Sequence, residues 1–415
     1  MGQEISVFLS HLSDCTPIQR DLLSMLPRTA DIVIIGGGVM GASTAYHLAL
    51  RGPAKIILLE RQAFFGQGAT GKCAGGVRHQ FATEVNIRLS LESLAMLDRF
   101  KEEIGQEVDF RKCGYLFALT EEKDVAAFRK NVELQHRLGV LTEWLTGDEV
   151  RARLPLMRLR DALGGTFYGQ DGLVDPNGVV MGYINAARQL GTQAFTGVEV
   201  TRVTCHPSTS LRTGVTRVIG VETTLGPIAA PVVVNAAGPW AALVGEMAGI
   251  ELPIVPVRRQ MLTTTPLPEI PADFPFVIDF AQSLYFHREG DGLLTGMSDP
   301  DEPPSFDESV DEDWELRALE AAIERLPLLE RAGRLSHWAG LYEVTPDAHP
   351  ILGKTPLEGF YVCAGFSGHG FMHGPIVGKL MAEFIHTGRA ETVDVSMLDY
   401  WRFEEGRLIR EYNVI

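Results

Sequence analysis

Two short, uninterrupted hydrophobic runs, within 31–35 and 55–60, are the clearest pattern near the start of the chain. Runs of this length are typical of strands buried on both faces, as in a parallel sheet. The first run leads through a glycine turn into the small, apolar stretch 42–50, which predicts a helix. The second run ends at Glu60. The pattern therefore predicts a strand–turn–helix–strand unit.

The glycine turn contains Gly36, Gly38 and Gly41, which have the spacing GxGxxG. In such a turn the first glycine permits the tight bend, the second lets the backbone approach a pyrophosphate, and the third allows close helix–strand packing. The helix start offers N–H groups to phosphates, and an acid placed like Glu60 accepts hydrogen bonds from a ribose. An ordinary glycine-rich turn is the alternative, but the complete unit favours dinucleotide binding.

Further along the chain, periodicity and turn signals predict several elements. Between the strands at 197–203 and 215–223 lies a turn-rich insertion, 206–214, which we expect to be an exposed hairpin tip. Residues 299–313 form an acidic loop, which is more typical of a solvated surface than of a binding site. The other predicted elements are helices at 84–104, 121–138, 179–190 and 314–326, a strand or hairpin at 109–119, strands at 232–235 and 253–265, and a hairpin formed by 283–287 and 292–296.

A second strand–turn–helix pattern occurs near the end of the chain. A buried strand over 359–364 meets a glycine-rich turn, and an apolar helix is predicted over 376–385. The turn contains Ser367 and His369, and its glycines permit close approach of the backbone to a flat ring. A plain strand-to-helix turn is the alternative. The glycine content favours contact with a cofactor.

Composition narrows the function further. The 415 residues favour two domains, and a formal net charge of −16 argues against nucleic acid and anionic membranes as partners. No apolar run approaches the length of a membrane span, and the first 28 residues lack the features of a secretory signal. The five cysteines are scattered, without the spacing of a zinc site. This favours reduced thiols and a cytoplasmic location.

Several segments together resemble one known family. They are the glycine fingerprint with Glu60, and the stretches 68–78, 233–240, 338–347 and 365–371. The chain resembles the D-amino-acid-oxidase-like group of FAD-dependent amine oxidoreductases over residues 30–411. Within that group it is most similar to the branch that holds the β-subunits of sarcosine oxidase and L-proline dehydrogenase.

The resemblance implies an α/β fold: a Rossmann-like FAD-binding domain plus a substrate domain built on a mixed or antiparallel sheet. The FAD-binding domain would comprise 30–105, 160–245 and 336–415. The substrate domain would comprise 106–159 and 246–335, and residues 1–29 would form an N-terminal arm.

The resemblance also implies contacts along FAD, from the ADP half to the pyrimidine edge of the flavin. The residues concerned are Gly36, Gly38, Val39, Met40, Gly41, Glu60, Arg61, Ala69, Thr70, Gly71, Lys72, Ala74, Gly75, Gly76, Val200, Ala237, Gly238, Trp240, Gly340, Gly368, His369, Gly370, Phe371 and Met372.

At two positions this chain differs from relatives that attach the flavin covalently. Some relatives tether the flavin through a cysteine, and that position here is Gly340. Others tether it through a histidine, and that position here is Cys73. We therefore expect FAD to be bound non-covalently.

The implied reaction is oxidation of a small amino acid or N-alkyl amino acid, such as sarcosine, proline or glycine. No second GxGxxG is present, so no NAD(P)H domain is expected and the substrate would reduce the flavin directly. A hydride would pass from the carbon next to nitrogen to flavin N5, giving an imine. Backbone N–H groups at 370–372 would stabilise the negative charge that develops on the flavin.

Four side chains are candidates for the catalytic pocket. Arg78 matches an arginine that binds the substrate carboxylate in sarcosine oxidases, although a structural salt bridge is the alternative. Met372 stands where those oxidases have a second carboxylate contact, a lysine. Either the carboxylate is held differently here, with His369 or His373 as the replacement donor, or the substrate is less anionic. A purely structural role is the alternative for both histidines. Tyr285 completes the set. His79 and His287 are weaker candidates. Arg258 and Arg259 are expected to face solvent as a pair, and a position facing the flavin cleft is the alternative.

A last departure bears on the electron acceptor. The oxidases place a lysine near flavin N5 that promotes reaction with oxygen, and alignment puts Leu294 there. A dehydrogenase or slow oxidase that passes electrons to a partner protein or a quinone is therefore expected. Two alternatives stay open: a flavoprotein subunit that serves electron transfer or assembly with a companion subunit, and an FAD-dependent 2-hydroxy-acid dehydrogenase.

Overall fold

The structure is a computed structural model, and it describes residues 26–206 and 216–414. Most of the predicted arm 1–29 and most of the insertion 206–214 therefore lie outside the described residues, as does Cys15. The four cysteines within the described ranges are all free thiols. Leu26, at the start of the first range, is buried in the core.

Nineteen strands are present in the described ranges. In chain order they are β1 Ile32–Ile35, β2 Ile56–Leu59, β3 Gly76–Val77, β4 Tyr115–Leu119, β5 Glu143–Thr146, β6 Gly164–Tyr168, β7 Gly172–Leu173, β8 Gln193–Phe195, β9 Val200–His206, β10 Arg217–Thr223, β11 Gly226–Ala229, β12 Val232–Asn235, β13 Val255–Thr264, β14 Phe276–Asp279, β15 Leu284–Glu289, β16 Gly292–Met297, β17 Arg334–Val344, β18 Ile351–Lys354 and β19 Phe360–Ala364.

The same ranges contain nine α-helices and several short 3₁₀ turns. The α-helices are α1 Val39–Ala49, α2 Glu84–Asp98, α3 Phe100–Ile104, α4 Glu122–Arg137, α5 Gly147–Arg153, α6 Pro176–Gln189, α7 Ala241–Met247, α8 Glu312–Arg325 and α9 Gly370–Thr387. None of the helices that the structure describes combines the length and apolar character required to span a bilayer.

A six-stranded sheet in the order β18-β19-β12-β1-β2-β8 organises the first half of the fold. Its central strands β12, β1 and β2 are parallel and are buried on both faces, as the uninterrupted apolar runs predict. Helices α1, α2, α6 and α9 cover one face, and the three-stranded sheet β11-β10-β9 with α7 covers the other. Strands from both ends of the chain thus meet beside the glycine turn.

An eight-stranded sheet in the order β17-β13-β16-β15-β14-β4-β6-β5 forms the second half. All its pairings are antiparallel except that of β14 with β4. Strands β6 and β17 belong to this sheet although they lie in stretches predicted to form the FAD-binding domain. The predicted domain limits therefore stay a proposal, whereas the α/β class with one parallel-cored and one mixed sheet is confirmed.

Three predicted elements differ in their limits. The helix predicted over 84–104 is interrupted at Arg99, whose ψ of 9° ends α2 before α3 begins. The strand predicted over 109–119 begins only at Tyr115. Helix α9 begins at Gly370 instead of 376 and contains Pro375. Pro375 is the sixth residue of this helix, where a proline removes the hydrogen bond to the carbonyl four residues earlier, and the helix continues on both sides of it.

Candidate active site

A cleft of about 270 Å³ lies between the carboxyl ends of β1 and β2 and one face of the eight-stranded sheet. It is lined by every predicted cofactor residue except Gly41 and Gly71, and also by the predicted catalytic residues Arg78 and Tyr285. Residues far apart in sequence therefore converge on one elongated space.

The glycine turn closes one end of the cleft. Gly36 has a φ of +108°, and a Cβ on it would lie 2.3 Å from the carbonyl oxygen of Ala236. A Cβ on Gly41 would lie 1.9 Å from the oxygen of Gly36, and one on Gly71 would lie 2.3 Å from that of Gly66. Gly41 and Gly71 thus allow tight packing behind the cleft and do not line it, and their assignment as cofactor contacts stays a prediction.

Glu60 is fixed against this turn. Its carboxylate accepts hydrogen bonds from the backbone N–H of Gly37 at 2.8 Å and of Gln62 at 2.7 Å. The Thr70 hydroxyl accepts the N–H of Val39 at 3.2 Å, at the first residue of α1. These bonds hold the acid and the helix start beside each other, as binding of a ribose and a pyrophosphate requires.

Trp240 and Arg61 cover the same end of the cleft. The Arg61 guanidinium lies 4.0 Å from the centre of the Trp240 ring, and Phe306 stacks on that ring with centroids 5.9 Å apart. Val200 and Gly238 complete this lining. The arrangement leaves a narrow slot bounded by apolar and cationic groups.

Close backbone approach shapes the other end of the cleft. A Cβ on Gly340 would lie 2.9 Å from the Cβ of Lys72, and one on Gly368 would lie 2.3 Å from the Tyr342 ring. The first turn of α9, at Gly370 and Met372, also lines the cleft and offers its N–H groups. A flat ring fits between these glycine-bearing segments, so the residues present suit FAD along the whole cleft.

An aromatic wall on the eight-stranded sheet faces this ring-shaped space. Tyr115 stacks on Phe276 at 4.2 Å between centroids, and the Tyr285 ring follows at 5.9 Å from Phe276. Gly296, between Tyr285 and Met261 in the register, leaves room for the Tyr285 hydroxyl. Because alternate residues of each strand share a face, these side chains form one surface.

Arg78 is buried at the bottom of the cleft. One terminal nitrogen donates to the carbonyl of Gln80, and the other donates to that of Asn413 at 2.5 Å. Its guanidinium lies 3.9 Å from the centre of the Phe81 ring. Burial lowers the pKa of Arg78. These hydrogen bonds fix the Arg78 side chain to the main chain. Arg78 therefore has a structural role in addition to the predicted role in binding the substrate carboxylate.

The predicted histidines lie in different surroundings. His369 lines the cleft, its Nε2 is buried without a hydrogen-bond partner in the described residues, and burial lowers its pKa well below the usual value. His373 lies outside the lining, pairs with Ser90 at 3.0 Å, and has a pKa lowered to about 3 by burial. His287 also lies outside it, with a pKa lowered to about 4 by burial. All three rings are neutral near pH 7.

His79 is also held away from the cleft. Its Nδ1 lies 2.7 Å from the carboxylate of the fully buried Asp171, which also accepts the His79 N–H. Gln80 donates to the same carboxylate at 3.1 Å. His79 therefore belongs to a structural network behind Arg78.

The arginine pair on β13 does not face solvent, contrary to the sequence-based expectation. Arg258 is bound to the acidic loop through Glu302, at 3.1 Å, and through Asp307 and Asp311. Arg259 lines the cleft. The acidic loop is thus anchored beside the cleft instead of being merely solvated, because Arg258 neutralises part of its charge.

Three further side chains qualify the predictions. Leu294 is buried in an apolar cluster with Tyr285 and does not line the cleft, so the role inferred from its aligned position stays a prediction. Cys73 lines the cleft, and burial raises the pKa of its thiol to about 11. Glu343 also lines it and accepts the N–H of Gly365 at 2.9 Å, and burial raises its pKa to about 7.

Five residues that line the cleft were not predicted from the sequence. They are Tyr115, Met261, Phe276, Tyr342 and Glu343. All five lie on strands of the eight-stranded sheet. The aromatic content of 115–119 and 276–279 was the available signal, but the register that brings the strands together is not encoded locally.

Comparison with known proteins agrees with this geometry. The model of the family described as "DAO: FAD dependent oxidoreductase" matches residues 31–384. FAD-dependent oxidoreductase domain-containing protein 1 of Xenopus laevis is 30% identical, over 94% of this chain and 85% of that protein. The crystal structure of L-proline dehydrogenase from P. horikoshii superposes with a TM-score of 0.84 and 32% identity, covering 92% of this chain and 100% of that one.

The human mitochondrial sarcosine dehydrogenase is 34% identical over 93% of this chain. The match covers 43% of that enzyme, so the chain spans less than half the length of this relative. The family match, by contrast, extends over most of the chain and includes both glycine-rich turns. The chain therefore belongs to the DAO family of FAD-dependent oxidoreductases.

Proposed function

We propose that this chain oxidises a small amino acid or N-alkyl amino acid, of the sarcosine, proline or glycine type, at a CH–NH bond. The observation that carries the proposal is the single cleft that joins the dinucleotide turn to the aromatic wall of Tyr115, Phe276 and Tyr285. The named activities of sarcosine dehydrogenase and L-proline dehydrogenase, both at least 32% identical, support the same substrate class.

When bound, FAD supplies the acceptor for the hydride that leaves the substrate carbon. Gly36, Glu60 and Thr70 would hold its nucleotide half, and Gly340 and Gly368 would leave room for its ring. The start of α9 lines the cleft, and the positive partial charge of its N–H groups would stabilise negative charge that develops on the bound flavin.

The wall side chains would orient the substrate and exclude water. Burial raises the pKa of Tyr115 and of Tyr285 well above the usual value, so both hydroxyls stay protonated near pH 7 and serve as hydrogen-bond donors. His369 is neutral, for the reason given above. The protonated tyrosines and the neutral His369 place no base beside the substrate, and the uncharged form of an amine needs no protein base to lose a hydride.

The test is anaerobic mixing of the FAD-loaded protein with a panel of sarcosine, proline, glycine, D-amino acids and 2-hydroxy acids. We expect loss of the flavin absorbance near 450 nm with one or more of the amines. Bleaching by hydroxy acids alone would identify the alternative dehydrogenase. A coloured protein that no compound on the panel bleaches would favour a subunit for electron transfer or assembly.

We propose non-covalent attachment of FAD, because the Cys73 thiol, with its pKa of about 11, is protonated near pH 7 and is a poor nucleophile. Denatured protein should release all its flavin. Flavin that stays with the precipitated polypeptide would overturn this assignment.

The electron acceptor and the location of the protein are also proposals. We keep a dehydrogenase or slow oxidase that passes electrons to a partner protein, a companion subunit or a quinone, and rapid reoxidation of the bleached flavin by air would contradict it. A cytoplasmic location stays a prediction from cysteine usage, while the human relative is named as mitochondrial. Fractionation of the native cell decides between the two locations.

A further inference from the structure

Arg258 and Arg259 are neighbours on β13 but point in opposite directions, as alternation along a strand requires. Arg258 is bound to three carboxylates on the acidic loop. Arg259 lines the cleft, on the same face of β13 as Met261, and pairs in register with Gly340 of β17. The second arginine of the pair therefore lies beside the space assigned to the flavin ring.

The Arg259 guanidinium has few partners. One terminal nitrogen donates to the carbonyl of Arg258 at 2.8 Å, and the group lies 5.4 Å from the centre of the Tyr342 ring. Its Nε is buried and has no hydrogen-bond partner within the described ranges. In 26–206 and 216–414 no carboxylate lies within 4 Å of it. A partly buried cation with unpaired donors is costly unless a ligand completes it.

The other cations of the cleft are already engaged. Arg78 donates to two main-chain carbonyls and packs on Phe81. Lys72 pairs with Glu308 at 2.8 Å, and Arg61 lies on Trp240 at the nucleotide end. Among the described residues that line the cleft, Arg259 thus has the guanidinium N–H groups that are best placed to bind an anion at the ring end.

We propose that Arg259, and not Arg78, is the residue that grips the carboxylate of the substrate. The inference rests on the proposed function and deepens it, because it selects substrates that carry a free carboxylate over simple amines. A guanidinium presents paired N–H groups that match the two oxygens of a carboxylate. Arg78 then acts as a positioning residue that ties the main chain at Gln80 to that at Asn413.

The surroundings of Arg259 define the size of this substrate. Tyr342 and Tyr285 lie close enough to Arg259 for its charge to oppose, in part, the rise in their pKa that burial causes. Met261 lies two residues further along the same face of β13. The carboxylate would be held beside this wall, with the carbon next to nitrogen directed toward the ring space, so a compact amino acid fits best.

The experiment compares Arg259→Gln, Arg259→Lys and Arg78→Gln with Arg258→Gln, a matched control on the opposite face of β13. For each FAD-loaded variant, kcat/KM is measured with the best amine of the panel and with its decarboxylated counterpart, such as pyrrolidine for proline. Binding of acetate is measured separately by calorimetry. Acetate binding does not depend on catalysis, so it remains informative if the proposed function fails.

We expect Arg259→Gln to lower kcat/KM for the amino acid by about a hundredfold, mainly through KM, and to leave the simple amine within about threefold. Arg259→Lys should recover part of the loss, because it keeps the charge without the paired geometry. Acetate binding should be lost in Arg259→Gln and kept in Arg258→Gln.

Two results would overturn the inference. One is unchanged acetate binding and unchanged discrimination in Arg259→Gln. The other is loss of both in Arg78→Gln while Arg259→Gln behaves as the parent protein. If the panel shows no amine oxidation but Arg259→Gln still loses acetate, the proposed function fails and the anion site stands.

Discussion

The two ends of the cleft are built in different ways. At the nucleotide end, binding groups are mostly backbone atoms and glycines within short motifs, such as Gly36 with φ of +108° and the start of α1. At the substrate end they are side chains from β4, β13, β14, β15 and β17, which come from three separate stretches of the chain. The nucleotide end is therefore determined by short sequence motifs, whereas the substrate end is determined by the register in which distant strands pair.

This difference means that the two ends of the cleft should tolerate substitution to different extents. A backbone cradle tolerates few substitutions, because the space for a Cβ is missing at Gly36, Gly41 and Gly368. A wall of side chains on a sheet can change one residue at a time without altering the strands. Substrate preference is therefore expected to follow the wall residues, and cofactor preference the turns.

The largest effect is expected at the nucleotide end. Gly36→Ala places a Cβ about 2.3 Å from the Ala236 oxygen, at a φ that side-chain-bearing residues rarely adopt, so β1 and β12 must separate. We expect loss of most bound FAD and a large fall in the melting temperature. The readouts are the ratio of absorbance at 450 and 280 nm and a thermal melt.

Gly52→Ala is the control for that variant. Gly52 has a φ of +129° but a Cβ on it would have nothing within 4 Å, so it reports the strain of the backbone alone. The idea of a rigid cradle fails if Gly36→Ala retains as much flavin as Gly52→Ala.

A smaller effect, which depends on pH, is expected at Glu343. Burial raises its folded-state pKa from 4.5 to about 7, so the folded protein binds this proton more tightly than the unfolded chain. The stabilisation is complete below about pH 4.5 and is lost as the pH rises to about 7. Glu343→Gln removes the titration, so its free energy of unfolding relative to the parent should rise by about 3 kcal/mol between about pH 4.5 and pH 8.

Urea unfolding of both proteins across this pH range measures the difference in their free energies of unfolding. Because all other titrating groups are the same in the two proteins, their contributions cancel in this difference. A constant difference at every pH would show that Glu343 titrates near its usual pKa when folded. Its bond to the Gly365 N–H would then outweigh its burial.

Much of the fold was predictable because many of its elements are determined by residues close together in the sequence. The runs at 32–35 and 56–59, the hairpin of β15 and β16, and the glycine turn each depend on neighbouring residues alone. The start of α9 was misplaced because its glycine-rich first residues were interpreted as a turn, although the chain is already helical from Gly370. The role of the acidic loop was misjudged because Arg258, its partner, is distant in sequence.

The substrate end was the least predictable part. Tyr115 and Phe276 come together because β4 pairs in parallel with β14, although the two residues are 161 positions apart in the chain. Solvent was favoured over the flavin cleft for Arg259, because an arginine pair is usually exposed. No pattern in the sequence predicts that its neighbour, Arg258, pairs with three carboxylates of the acidic loop.

Trp240→Leu should produce a modest loss at the nucleotide end. It removes the ring on which Arg61 lies at 4.0 Å, a contact of about 0.5–1 kcal/mol at an exposed site. We expect the Kd for FAD to rise about threefold to fivefold in a fluorescence titration of flavin-free protein. Phe306→Leu, which keeps Arg61 on Trp240, should change the Kd less, and an equal change in both variants would assign the effect to general packing.

The smallest effect is expected where the acidic loop meets the cleft. Glu308→Gln removes the ion pair with Lys72, whose two side chains are each more than a quarter exposed, so stability should change by less than about 1 kcal/mol. Because Lys72 lines the cleft, loss of its partner leaves more positive charge beside the bound cofactor, which should tighten FAD binding slightly at low salt. The gain should vanish at high salt, when surface charges are screened. Titrations at both salt concentrations measure it, and a gain that survives high salt would mean that the substitution reshapes the cleft instead of changing its charge.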